Sequence, residues 1–165
     1  MITETKYNQT TISKKVSLDG VGLHTGKDVT LTFYPSEPNT GYVFKRIDLD
    51  GRPTVEADIN YVSSTERGTC LNKNNVIIQT CEHVLASLVG LQIDNVLIEL
   101  NASEPPIMDG SSKYFVEALE KAGIKQLNDK RKEFVVKNVI SFKDQESGSE
   151  ITVIPSKEYQ ITTMV

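Results

Sequence analysis

The chain has 165 residues, 38% of them hydrophobic and 24% charged, and a formal net charge of −4. That balance fits a globular chain of one domain, or one small domain and part of another. It argues against nucleic-acid binding, since there is no basic block and few aromatics, and no apolar run approaches the roughly 20 residues of a membrane span.

The N-terminal MITETKYNQT has no signal-peptide hydrophobic core, which makes cytoplasm the expected compartment. Strand patterns follow. Thr11–Leu18 partly alternates apolar and polar residues. Val29, Leu31 and Phe33 alternate strictly with Thr30, Thr32 and Tyr34, the period-2 signature of a half-buried strand. Pro35, Pro38 and Gly41 mark a turn. Tyr42–Ile47 and Val55–Val62 are further predicted strands. Lys73-Asn74-Asn75 separates Arg67–Asn72 from Val76–Ile78 and predicts a hairpin.

A helix is predicted next, with Thr80 as its N-cap and Cys81, Val84, Leu85 and Leu88 along one face. Gly90 is its expected stop. Asp94–Leu100 is a β-branched, apolar strand. Met108-Asp109-Gly110-Ser111 turns into a second helix, Ser112–Ala122, with Phe115, Val116 and Leu119 as its buried stripe and Gly123 as its end. The charged QLNDKRKE then predicts an exposed segment and a domain boundary near residue 130. Phe134–Phe142, Ile151–Pro155 and Tyr159–Val165 are predicted strands of a second, incomplete domain. They would leave unpaired edges and apolar surface available to a second copy. The run that stops at Val165 implies a piece of a longer protein.

Two features bear on chemistry. Glu82 and His83 fall in the first turn of the predicted helix, in a chain with only two histidines. The positive end of the helix dipole favours a carboxylate there and disfavours an imidazolium, and neutral imidazole is the metal-binding form. Taken alone, the pair is an N-terminal acid and a hydrogen-bonded histidine. It is not HExxH, and two histidines do not easily complete a catalytic zinc site. The other histidine, His24, lies in Gly20-Val21-Gly22-Leu23-His24-Thr25-Gly26, where three glycines in seven residues allow close backbone approach. This segment reads as a turn between strands or, with Asp109-Gly110-Ser111, as a phosphate cradle. Cys70 and Cys81 lack CxxC spacing and read as reduced, buried thiols.

Taken together, GVGLHTGKDVTLTFYPSEPNTG and TCEHVLASLVGLQIDNVLIELNASEPPIMDGSSKYFVEAL resemble the N-terminal half of the UDP-3-O-acyl-N-acetylglucosamine deacetylases, zinc enzymes of lipid A biosynthesis. The resemblance runs from about Gln9 through the second helix and continues weakly to Val165. It implies an α+β fold: a β-sheet with two helices packed on one face, one half of a two-domain sandwich. Residues 1–130 would form that half, and 131–165 the first strands of the other. The T-[VC]-E-H segment of the family implies Glu82 as the catalytic base and His83 as one Zn2+ ligand. Leu23, His24 and Thr25 are implied to line the substrate cleft, and Gly68 to border the acyl-chain passage, where relatives often carry a larger residue. Cys81 stands in place of a more usual valine. The remaining ligands, an H-x-x-x-D pair, and a histidine acid are implied to lie later than residue 165, so that these residues alone would be inactive. The implied partner is the acylated UDP-N-acetylglucosamine. The other class of reading is a non-catalytic assembly or phosphate-binding module.

Overall fold

The computed structural model describes residues 2–164. The chain divides into two compact units, residues 8–129 and residues 1–7 with 130–165.

The first unit is built on the alternating strand. Val29, Leu31 and Phe33 are buried on one side of β3 (Asp28–Pro35), as the period-2 pattern requires. β3 is flanked by β2 (Val16–Val21) and β9 (Val96–Leu100). β4 (Tyr42–Arg46) and β5 (Thr54–Glu56) complete the sheet, in the order β2-β3-β9-β4-β5. Neighbours are antiparallel except β4 and β9, which run parallel. The register places Phe33, Ile98, Phe44 and Val55 in one row across the sheet, all fully buried. Burial of each such side chain contributes roughly 1.5–3 kcal/mol.

Two helices cover that face. α1 (Glu82–Gly90) buries Val84, Ser87 and Leu88, and α2 (Lys113–Ala122) buries Phe115, Ala118, Leu119 and Ala122. Their apolar residues join Phe33, Phe44 and Ile98 in one cluster, so the unit is the expected α+β arrangement. The buried stripe of α2 follows the i, i+3, i+4, i+7 spacing. It therefore takes Ala118 and Ala122, and leaves Val116 half-buried. A second sheet, β6 (Val62–Ser64), β7 (Cys70–Lys73) and β8 (Val76–Ile78), is antiparallel throughout. Asn74 and Asn75 make its hairpin turn with φ of 51° and 65°, the left-handed pair that a two-residue turn needs.

Four expectations change. Residues 55–62 are not one strand: a 3-10 turn, Ile59–Tyr61, interrupts them after Asp58 accepts the Asn60 N–H. QLNDKRKE is largely exposed, as expected, but it is part of a strand, β10 (Ile124–Phe134), which pairs with β1 (Ile2–Ile12), a strand the hydrophobic pattern does not reveal. Both strands are largely polar. Backbone pairing holds them, so no alternation of hydrophobicity marks them. The unit boundary falls within both. In the second unit the predicted strands shorten to β11 (Ile140–Lys143) and β12 (Glu150–Val153), an antiparallel pair. Residues 159–164 form no strand, and Val165 lies outside the described residues. An apolar run becomes a strand only where it finds an edge to pair with.

Candidate active site

The site lies in the unit of residues 8–129 and centres on the start of α1. The helix begins at Glu82, with Cys81 in the N-cap position and no side-chain cap. Thr80, the expected cap, does something else. Its φ is 51°, and its hydroxyl donates to the Glu104 carboxylate at 3.0 Å. A β-branched residue in that backbone region is strained by about 1–3 kcal/mol, and surrounding contacts must hold it there.

Glu82 is half-buried. Its Oε2 accepts the Thr69 N–H at 2.8 Å. Its Oε1 lies against the backbone of Gly68, where a Cβ would sit only 3.0 Å away and φ is +138°. One oxygen of the carboxylate is thus held by an amide, and the other faces a residue without a side chain. His83 is also half-buried, and its carbonyl accepts the Ser112 hydroxyl at 2.9 Å, which ties the first turn of α1 to the start of α2. Among the described residues, no group of three or more His, Cys, Asp or Glu side chains is arranged to hold a metal. His83 could supply one imidazole to a metal, with the Glu82 carboxylate beside it.

The glycine-rich segment forms a tight turn, closed by the Gly26 N–H on the Gly22 carbonyl at 3.0 Å. Leu23 and His24 are exposed, and the His24 Nε2 lies 3.2 Å from the Arg67 carbonyl. The turn presents its amides inward. The His24 and Thr25 N–H groups and the Thr25 hydroxyl all donate to Glu104, at 3.0–3.2 Å. The turn is therefore an anion nest whose anion is a carboxylate of the same chain. The Asp109-Gly110-Ser111 turn is likewise self-satisfied, because Asp109 accepts the Ser111 amide and hydroxyl. These pairings argue against the phosphate-cradle reading of both motifs.

Glu104 is the residue that sequence reasoning missed. It is 0% exposed. Burial would push its carboxyl up, but the donated hydrogen bonds from Thr25, His24 and Thr80 outweigh that and hold it below the usual carboxylate range. Nothing in SEPP marks it, since a lone acid before two prolines reads as a surface loop. Cys81 is fully buried, and burial together with the neighbouring Glu82 charge pushes its thiol up to about 12. It donates to the Thr69 carbonyl at 3.3 Å as a thiol and packs as a small apolar group. Both cysteines are free, with Cys70 half-buried rather than buried. His24, Thr25, Gly68 and Glu82 are thus linked through Arg67, Thr69, Thr80 and Glu104, whereas Leu23 and the His83 ring make none of these contacts.

The fold and site define an α+β domain that offers a carboxylate and an imidazole at a helix start, walled by a glycine-rich turn. The chain belongs to the UDP-3-O-acyl N-acetylglycosamine deacetylase (LpxC) family, whose sequence model matches residues 9–165. It is 43% identical over 157 residues to the bifunctional enzyme LpxC/FabZ of Bacteroides thetaiotaomicron, an alignment covering 95% of this chain and 34% of that protein. It is 42% identical to the UDP-3-O-acyl-N-acetylglucosamine deacetylase of Geotalea uraniireducens, over 93% of this chain and 50% of that one. The enzyme of the same name from Blochmanniella floridana is 45% identical, over 87% and 49%. The chain spans a third to a half of the length of these relatives.

Proposed function

We propose that residues 1–165 carry the base and one metal ligand of a zinc-dependent hydrolase that removes the N-acetyl group of UDP-3-O-acyl-N-acetylglucosamine in the cytoplasm, a step of lipid A biosynthesis. The observation that carries this reading is Glu82. It is a half-buried carboxylate, anchored through Oε2 to the Thr69 amide, with Oε1 against Gly68, and next to a half-buried histidine.

His83 would hold the zinc together with two further protein ligands, the usual complement of a catalytic site. When bound, zinc supplies a Lewis acid for the amide carbonyl and lowers the pKa of a bound water. Glu82 takes the proton of the attacking water, and its anchored oxygen keeps the other one aimed as the proton arrives. Leu23, His24, Thr25 and Gly68 border the substrate, with Gly68 leaving room beside the base. On this reading these 165 residues alone do not turn over, because the remaining ligands and the acid come from chain like that of the relatives' other half. No helix among the described residues is long and apolar enough to cross a membrane.

The test uses the full-length protein with the acylated UDP-sugar. Glu82→Gln should lower turnover by a factor of ~10² to 10⁴ with zinc content unchanged. His83→Ala should lower both. Near-normal turnover by Glu82→Gln, or full zinc occupancy in His83→Ala, would overturn the assignment.

A further inference from the structure

Glu104 is a charged side chain in a dry place. Among the described residues its hydrogen-bond partners are neutral: two backbone amides and two hydroxyls. A buried carboxylate with no cation beside it is a poor way to gain stability, since an apolar residue of similar volume often does better. What it provides is geometric, because it is an acceptor-only group with room for several donors at once. Those donors come from two places far apart in sequence. One is the turn that carries His24. The other is Thr80, two residues before Glu82.

Further observations point the same way. Thr80 is held at φ 51°, and its hydroxyl bond to Glu104 is a contact that fixes it in this strained state. At Gly22 a Cβ would run into Thr25 Oγ1 and lie 2.7 Å from Glu104 Oε2, so the turn wraps the carboxylate as closely as a backbone can. The two branches also meet on the far side, where the His24 ring reaches the Arg67 carbonyl and the Thr69 amide holds Glu82.

We propose that Glu104 is a positioning residue: its carboxylate locks the His24–Thr25 turn to the Thr80 approach of α1, and thereby sets where His24 stands relative to Glu82. The proposal rests on the deacetylase reading above. Glu104 touches no reacting atom, and its effect runs through the two segments it joins. Replacing it by glutamine puts an amide NH2 in place of one carboxylate oxygen, beside backbone N–H groups that can only donate and hydroxyls that must turn round to accept, so the hold between the turn and the approach to α1 weakens.

The experiment measures kcat, KM and zinc content for the full-length wild type, Glu104→Gln and Thr80→Val, well below each protein's Tm. Glu104→Gln should lower kcat/KM by about 10- to 100-fold, with zinc content retained and the change divided between kcat and KM. Thr80→Val, which removes one hydroxyl and keeps the shape, should lower kcat/KM in the same direction by a smaller factor. It also decides the question if Glu104→Gln does not fold. The double variant should lose less than the sum of the two single losses, because Thr80 acts through its bond to Glu104. A purely structural role would lower Tm while leaving kcat and KM of the folded enzyme unchanged, and that result overturns the proposal. An inactive wild type overturns the deacetylase reading itself, and the proposal with it. An active wild type with normal kinetics in folded Glu104→Gln or Thr80→Val overturns the positioning role alone.

Discussion

Two glycines in one turn show how differently a single residue type can be required. Gly22 has no room for a side chain: a Cβ there would collide with Thr25 and Glu104. Gly26 has nothing within 4 Å, but its φ is +62°. The first is a packing requirement and the second a backbone one. Gly22→Ala should therefore cost about 1–3 kcal/mol and loosen the turn from Glu104. Gly26→Ala should cost only ~1 kcal/mol and leave the hydrogen bonds of the turn in place. Urea denaturation of both variants, with amide exchange at His24 and Thr25, measures the difference. Equal costs with equal protection would contradict this assignment. At this scale the sequence announces that the glycines matter, and the neighbours at Gly22 explain why.

Among the elements, α1 is the one that tertiary contacts rather than local chemistry hold at its start. It has nine residues and no side-chain cap, a length at which an isolated helix is marginal. Three contacts anchor its start instead: Thr69 N–H on Glu82, the Ser112 hydroxyl on the His83 carbonyl, and the Thr80 hydroxyl on Glu104. The residues of the proposed chemistry are thereby fixed from three sides. The β11–β12 hairpin is the opposite case. Phe142 and Ile151 are cross-strand partners, yet they are 65% and 66% exposed. Exposed apolar strands are templates for pairing with another copy. We infer that this chain self-associates through the hairpin, so its mass by light scattering should rise with concentration. Phe142→Lys with Ile151→Lys should return it towards the monomer value. A monomer mass for the parent chain at every concentration would refute this.

At the scale of the whole molecule, Glu104 is one of several carboxylates, Asp48 and Glu56 among them, that are held below their ordinary range and so contribute to acid stability. Glu104 is held below its ordinary value of 4.5 by the donors around it. Ionised Glu104 therefore stabilises the fold fully above that value, and the contribution is lost as pH falls below 4.5 through the lower folded value. Glu104→Gln removes both the contribution and its pH dependence. The Tm difference between wild type and Glu104→Gln should be large at pH 7 and shrink as pH drops below 4.5. Thermal melts across that range measure it, and a difference that stays constant with pH would place the effect elsewhere.

Much of this protein was legible before any coordinates. The alternation of Val29, Leu31 and Phe33 sets the inner face of β3, and the helical spacing of Phe115 and Leu119 sets that of α2, because side-chain periods of 2 and 3.6 are properties of the local backbone. The Asn74-Asn75 turn is local in the same sense. Glu82 and His83 were legible only as neighbours at a helix start and through family resemblance. Their surroundings were not. Glu104 meets His24 across 80 positions and Thr80 across 24. No periodicity records such a meeting, since it depends on how the strands order themselves in the sheet. The polar strands β1 and β10 were hidden for a related reason: backbone hydrogen bonds pair them without an apolar face to mark them. Sequence by itself determined the inward face of β3 and the main anchors of α1 and α2. Tertiary structure alone decided that one acid should be buried among four neutral donors, because the burial of a charge is set by what arrives from elsewhere to satisfy it.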